Sequence, residues 1–491
     1  MELKYGYCSD KYQYTMGKSF YDLGMKEKRA VFNLFYRSAP DNNNWAVVSG
    51  VREVLEMISE MGNEPEEFYE KFIPGEEYRE FRHYLASMKF TGNVYAMREG
   101  EIAFPREPII TIEAPIIEAQ VLETPMLCIM NHQMAVATKA SRVTRATKKP
   151  VSEFGSRRAH GPWAATFGGK AAIIGGCANT SNILTSSIFG IPCSGTMAHS
   201  YVTSFGCSIK GEKEAFDSYI RTHMGEPLIL LIDTYDTLKS GIRNAIAAYK
   251  DAGIDDSYKG AYGVRLDSGD LAYLSRRCRD ILDTAGLYNC KIFATNALDE
   301  YLITELERQE AKIDSYGVGD AIATSKHSPC FGNVYKLVQV DGEPVLKRSE
   351  DKSKLINPGF QITYRLIQNG EFKVDITCLR GDATTERIMR GEDIDVRDEF
   401  DQTRFKRYMG GTYTWKELQI QMMSSGKIIV EDEPLMQKQA YYKSNLASLD
   451  PAEARIINPH IYKVDISDEL YDLKMGLVSK LIAEIQDLNS K

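Results

Sequence analysis

The chain has 491 residues, 43% of them hydrophobic and 26% charged, with a formal net charge of −8. That length calls for two or three domains, at least one able to bury a closed sheet, and the composition excludes disordered and fibrous classes. The acidic balance leaves no footprint for nucleic acid, and no window of ~18 uninterrupted apolar residues suggests a membrane span. Nine cysteines without a Cys-x-x-Cys pair read as reduced thiols. Met1-Glu2-Leu3-Lys4-Tyr5 does not open like a secretory leader. A cytoplasmic protein with no nucleic-acid or membrane partner is expected.

In chain order, the stretch from Asp10-Lys11-Tyr12 to about residue 90 is rich in Glu and Tyr and reads as helical. Short β-branched runs at 94–97, 101–104 and 109–112, separated by Glu-Gly and Pro signals, predict an antiparallel sheet in a small sandwich. From 116 to 149, apolar residues such as Val121, Leu122, Met126 and Met130 fall at helical spacing until Pro150, a long helix leading into a second domain. Between 151 and about 330 the pattern repeats as strand, small-residue loop and helix. Strands are predicted at 151–154, 173–178, 191–195, 228–233, 261–267, 291–295 and 313–319, with helices at 182–189, 238–251, 271–284 and 299–312. This spacing fits a (β/α) barrel or an open doubly wound sheet, and the polar and glycine residues at nearly every strand C-terminus favour an irregular barrel.

Beyond 331, hairpins are predicted at 334–347, turning on Asp341-Gly342, and at 362–377, turning on Asn369-Gly370. The charged tail ends in an amphipathic helix at 469–488. The expected class is therefore α/β: an irregular (β/α) barrel with a discontinuous α/β sandwich and a C-terminal extension. Residues 1–130 begin the sandwich, 131–330 form the barrel with the site, 331–390 return as hairpins to the sandwich, and 391–491 are a C-terminal region.

Five strand ends carry chemistry, and a similar small-residue end recurs at Thr295-Asn296. Ser194-Gly195-Thr196-Met197-Ala198-His199 points backbone N–H groups and a hydroxyl at one spot, which suits an anion with His199 at its mouth; a histidine packed at a helix start is the plain alternative. Leu228-Ile229-Leu230-Leu231-Ile232-Asp233-Thr234-Tyr235-Asp236 ends an apolar strand in carboxylates, suited to ribose hydroxyls or magnesium, though Asp236 is explained equally well as a helix N-cap. Arg265-Leu266-Asp267-Ser268-Gly269-Asp270 sets a cation among carboxylates: Arg265 can grip a phosphate or carboxylate, and Asp267 can accept from sugar hydroxyls or sit on a metal. Gly317-Val318-Gly319-Asp320 suits either a phosphate approached by backbone amides or a tight turn. Phe154-Gly155-Ser156-Arg157-Arg158 places a ring beside guanidinium groups, as a flat anionic ring or a subunit contact would require.

Taken together, these motifs resemble the nicotinate phosphoribosyltransferase family over nearly the whole chain. The resemblance is carried by Asp10-Lys11-Tyr12-Gln13-Tyr14-Thr15-Met16, Phe154-Gly155-Ser156-Arg157-Arg158, Thr180-Ser181-Asn182, Gly195-Thr196-Met197-Ala198-His199-Ser200, Val264 through Asp270, Gly317-Val318-Gly319 and Asn333-Val334-Tyr335-Lys336. It implies a type II phosphoribosyltransferase acting as a head-to-tail homodimer with shared sites. The implied reaction joins nicotinate to phosphoribosyl diphosphate, giving nicotinate mononucleotide and diphosphate, with ATP as co-substrate hydrolysed through phosphorylated His199. It further implies Tyr12 from the neighbouring subunit and Phe154 as an aromatic clamp on the pyridine. Arg157, Thr196 and Arg265 would hold the carboxylate or phosphates, and Asp233 and Asp267 would face ribose and Mg2+. Ser268, Gly269, Gly317 and Gly319 would cradle the 5′-phosphate, and Asp320 would be a further substrate-binding residue. At Ser181 the nicotinamide-specific relatives look to carry an aspartate, so the neutral serine points to nicotinate; nicotinamide phosphoribosyltransferase or another pyridine phosphoribosyltransferase of the same fold is the alternative.

Overall fold

The structure is a computed structural model describing residues 8–62, 64–348, 354–401 and 403–489. The opening residues Met1-Glu2-Leu3-Lys4-Tyr5, from which the absence of a leader is expected, lie outside the described residues. The chain divides into two compact units, Met1–Ala135 with Cys330–Lys491, and Val136–Pro329. Among the described residues no helix is long and apolar enough to cross a membrane.

The first unit holds a seven-stranded antiparallel sheet in the order Glu343–Pro344, Asn333–Val340, Arg29–Tyr36, Ile110–Pro115, Asn93–Ala96, Ile420–Ser424, Lys427–Ile428. Strand Arg29–Tyr36 lies inside the stretch expected to be helical. Its run Ala30-Val31-Phe32-Asn33-Leu34-Phe35-Tyr36 is buried throughout, so it lacks the alternation that marks a half-exposed strand. The Asp341-Gly342 turn has both residues at positive φ, 47° and 83°, as a two-residue hairpin demands.

The second predicted hairpin, Gln361–Gln368 with Glu371–Leu379, does not join that sheet. Both edges of the seven-stranded sheet are already occupied by two-residue strands, and this hairpin instead centres a separate six-stranded sheet built with Phe405–Tyr408, Ile394–Asp398, Val464–Ser467 and Thr414–Glu417. Residues beyond 391 thus serve both large sheets of the first unit rather than forming a region of their own.

The second unit holds six parallel strands: β1 Val151–Glu153, β2 Asn179–Thr180, β3 Leu228–Leu231, β4 Tyr262–Leu266, β5 Lys291–Ala294 and β6 Ser315–Val318. Their order is β2-β1-β6-β5-β4-β3, so neighbours in sequence are neighbours in space and the last strand pairs with the first, Tyr316 opposite Val151. That is barrel order rather than doubly wound order. The irregularity lies between β2 and β3. The strand expected at 191–195 is reduced to one bridge, Cys193 opposite Thr180, in a segment where Pro192 has no N–H to give. The stretch 173–178, expected as a strand, is the end of helix α1, Pro162–Ile174, and a Gly175-Gly176 turn. A short run of buried alanine and isoleucine does not distinguish the two by pattern.

The helices between are α2 Ile183–Phe189, α3 His199–Thr203, α4 Ile209–Thr222, α5 Ile242–Asp251, α6 Leu271–Thr284, α7 Glu300–Arg308 and α8 Asp320–Ala323. Asn182, Asp270 and Asp299 cap α2, α6 and α7 through their side chains.

Candidate active site

Because all six strands are parallel, their C-terminal ends open on one face, and the segments that follow them surround a cavity of about 920 Å³. Phe154, Arg157 and Arg158 come from the end of β1, and Ser181 from β2. Ser194 through His199 follow the Cys193 bridge, Arg265 and Asp267 follow from β4, and Thr295-Asn296-Ala297 follow β5. Gly317, Gly319 and Asp320 come from β6 and the start of α8.

His199 opens α3, and its Nδ1 lies 3.1 Å from Thr234 Oγ1. Its Nε2 faces two carboxylates, Asp267 Oδ2 at 3.7 Å and Asp233 Oδ1 at 3.8 Å. The Asp233 side chain is 1% exposed and does not line the cavity. Its Oδ2 accepts from the Asp267 N–H at 3.1 Å and from the Ser268 hydroxyl at 2.5 Å, which ties β3's end to β4's. Its Oδ1 is buried and has no hydrogen-bond partner. The Thr295 hydroxyl donates to Asp267 Oδ1, leaving Oδ2 toward His199. Arg265 Nη1 donates to Thr196 Oγ1 at 2.9 Å, and its buried Nε is unpartnered. Burial pushes this guanidinium below its ordinary value against the opposing pull of Asp267 and Asp233.

Gly317 is required by close approach: a Cβ there would stand 2.6 Å from the Phe154 ring and 2.8 Å from Thr295. The missing side chain makes room for the ring. Asp236 is an N-cap, accepting from the N–H groups of Leu238 and Lys239. Ser181 does not cap α2, since Asn182 accepts from Thr185 N–H at 2.9 Å. Ser268 and Gly269 are exposed and do not line the cavity, and Tyr12 belongs to the first unit, 48% exposed with its hydroxyl donating to Glu123 at 3.0 Å. Sequence reasoning marked Thr295-Asn296 as a strand end but gave no role to the Thr295 hydroxyl, which meets Asp267, to Thr234, which meets His199, or to the left-handed backbone at Asn296 (φ 84°) and Ala297 (φ 48°). Only the threonines' place right after strand ends signalled them. Among the described residues no cluster of three or more His, Cys, Asp or Glu side chains could hold a metal by itself.

The parallel barrel with its polar groups gathered at the strand C-termini defines the class, an irregular α/β-barrel enzyme. Residues 8–131 match the nicotinate phosphoribosyltransferase N-terminal domain and residues 360–474 its C-terminal domain. The nicotinate phosphoribosyltransferase of Bacillus subtilis is 35% identical over 503 residues, covering 99% of each chain, and that of Dictyostelium discoideum is 32% identical, covering 94% of this chain and 86% of its own. The chain belongs to the nicotinate phosphoribosyltransferase family. In fold it is similar to the crystal structure of human nicotinic acid phosphoribosyltransferase, with a TM-score of 0.82 at 24% identity over 96% of this chain and 99% of that one. A Pyrococcus furiosus nicotinate-nucleotide pyrophosphorylase follows at a TM-score of 0.66 and 25% identity, covering 91% of this chain and 96% of that one.

Proposed function

We propose that this chain is a nicotinate phosphoribosyltransferase of NAD salvage, joining nicotinate to phosphoribosyl diphosphate with release of diphosphate, and that it couples the transfer to ATP through phosphorylation of His199. The observation that carries this reading is one cavity that collects an aromatic ring and guanidinium, Phe154 and Arg157, with His199 and the carboxylate of Asp267.

Phe154 packs on the pyridine, while Arg157 and Ser181 meet the nicotinate carboxylate. Displacement at the anomeric carbon passes through an oxocarbenium-like state, and Arg265 with Thr196 stabilises charge on the departing diphosphate. The backbone N–H groups at Gly319 and Asp320 face the 5′-phosphate, with Ser268 and Gly269 at its margin. With Nδ1 directed to Thr234, the nucleophile is His199 Nε2: it attacks the γ-phosphorus of ATP, an N–P bond forms, and the bond to ADP breaks. The unpartnered Asp233 Oδ1 and the free Asp267 Oδ2 both face this nitrogen, a hard-oxygen pair that suits Mg2+ completed by phosphate oxygens and water. When bound there, Mg2+ supplies the positive charge that lets phosphates approach two carboxylates.

The enzyme works as a cytoplasmic homodimer in which Tyr12 of the partner subunit closes the ring site. Exposed Trp163, Ile183, Leu184 and Ile188 give the barrel unit an apolar face suited to a second copy. All nine cysteines are free thiols, as in a reducing compartment. Product formation from nicotinate, nicotinamide and quinolinate, each with phosphoribosyl diphosphate, Mg2+ and with or without ATP, tests the reading. Nicotinate mononucleotide stimulated by ATP supports it; a preference for nicotinamide or quinolinate overturns it.

A further inference from the structure

Glu153, the last residue of β1, is 3% exposed, and the reaction described above makes no use of it. Both of its carboxylate oxygens are engaged: Oε1 accepts from the Gly155 N–H, and Oε2 accepts from the Thr180 hydroxyl at 2.5 Å. Its backbone carbonyl accepts from the Ser181 N–H at 3.0 Å. One residue therefore touches the segment on either side of Phe154 and the segment that carries Ser181. The network continues: Thr180 Oγ1 accepts from the Asn182 N–H at 3.1 Å, and Asn182 Nδ2 donates to Ser156 Oγ at 3.1 Å, closing a loop of hydrogen bonds between the two strand ends. The backbone at 155 has no slack, because a Cβ there would overlap Ala323 Cβ and stand 2.8 Å from the Gly319 carbonyl.

We infer that Glu153 is a positioning residue that sets the spacing between Phe154 and Ser181, and so fixes the site for the nicotinate ring. The inference rests on the substrate reading above. The direction of each bond gives the mechanism. Because the Thr180 hydroxyl accepts from Asn182, its proton is free to go to Glu153, and the Gly155 N–H can only donate. A carboxylate satisfies both donors at once. A glutamine at this place accepts from one donor and turns its NH2 on the other, so the Thr180 hydroxyl must rotate and the side-chain link between β1 and β2 changes its geometry while the backbone pairing stays. His199, Arg265 and Asp267 stand on other strand ends and keep their own contacts, so the effect falls on the ring and not on phosphoribosyl diphosphate.

The test is steady-state kinetics of Glu153→Gln, Thr180→Val and Thr180→Ser in the full-length enzyme, with KM for nicotinate and for phosphoribosyl diphosphate measured separately from kcat. Glu153→Gln and Thr180→Val are expected to raise the nicotinate KM tenfold or more with the phosphoribosyl diphosphate KM within twofold, and Thr180→Ser, which restores the hydroxyl, to return the nicotinate KM to within threefold of wild type. A nicotinate KM unchanged in Thr180→Val, or both KM values rising together, overturns the positioning role, and Thr180→Val decides it even if Glu153→Gln fails to fold. A wild-type enzyme that makes no nicotinate mononucleotide overturns the substrate reading itself, a result separate from any change among the variants.

Discussion

The hydroxyl of Thr234 and Nδ1 of His199 lie 3.1 Å apart, which sets the other ring nitrogen toward Asp233 and Asp267. On the proposed reading the Thr234 hydroxyl accepts from Nδ1–H and holds the tautomer whose Nε2 lone pair is free for phosphorylation. His199→Asn is expected to abolish ATP hydrolysis and incorporation of label from γ-labelled ATP while leaving a slower, ATP-independent transfer. Thr234→Val should slow label incorporation by about tenfold, the loss of one ~1.4 kcal/mol interaction. Label appearing on His199→Asn at the wild-type level would show that another residue is phosphorylated.

Ring selectivity is expected to depend on Ser181. Because Asn182 takes the capping duty of α2, Ser181 is left as a residue of the cavity wall. An aspartate there would set a negative charge against the nicotinate carboxylate, a repulsion of about 4 kcal/mol at ~4 Å and an effective dielectric near 20. Ser181→Asp should lose nicotinate turnover at least a hundredfold while the protein stays folded and His199 still accepts phosphate. Retained turnover would move selectivity from Ser181 to the arginines.

Much of this site is legible in the chain because strand ends in a parallel barrel are marked by polar and small residues right after apolar runs, as at Asp233, Arg265 and Gly317. What is not legible depends on partners distant in sequence. Thr295 is an ordinary threonine until β4 brings Asp267 to its hydroxyl, and Glu153 is a strand acid until Thr180 arrives from 27 residues away. Gly317 is legible as a glycine, yet its reason, the Phe154 ring, belongs to the far end of the barrel sequence. The same limit applies to the fold. The Asp341-Gly342 and Asn369-Gly370 turns are local and stand out, whereas the buried strand Arg29–Tyr36 and the end of helix α1 are apolar runs whose type is decided by what packs on them.

Stability of the barrel unit should fall with acid through Glu300, at the first position of α7. Its fully buried side chain accepts from Lys139 Nζ and Arg142 Nε, each at 2.8 Å. Burial alone would raise its pKa, but the two cations outweigh that and hold the carboxyl below its ordinary value. A group whose folded pKa is depressed gives stability that is complete above its unfolded value of about 4.3 and lost as pH falls through the folded pKa. Denaturant midpoints between pH 7 and pH 3 should therefore drop below about pH 4 in the wild type. Glu300→Gln should be less stable at pH 7 by about 3–5 kcal/mol, because two buried cations lose this carboxylate, and its profile should be flatter through the acid limb. Equal stability of the two proteins at pH 7 would remove Glu300 from this account.

The shared site can be tested by mixing two inactive chains. Tyr12 lies on helix Lys11–Asp22 of the first unit, half-exposed and steadied by Glu123, while His199 lies in the second. If each ring site takes Tyr12 of the partner subunit, a Tyr12→Ala chain spoils its neighbour's site and a His199→Asn chain spoils its own. A hybrid dimer then has one site with both defects and one with neither. Random exchange of equal amounts makes half the dimers hybrids, so ATP-dependent activity should recover to about a quarter of wild type. If each site were built from one chain, every site in the mixture would keep a defect. The absence of recovery, under conditions where differently labelled subunits are seen to exchange, would place Tyr12 and His199 in the service of the same chain.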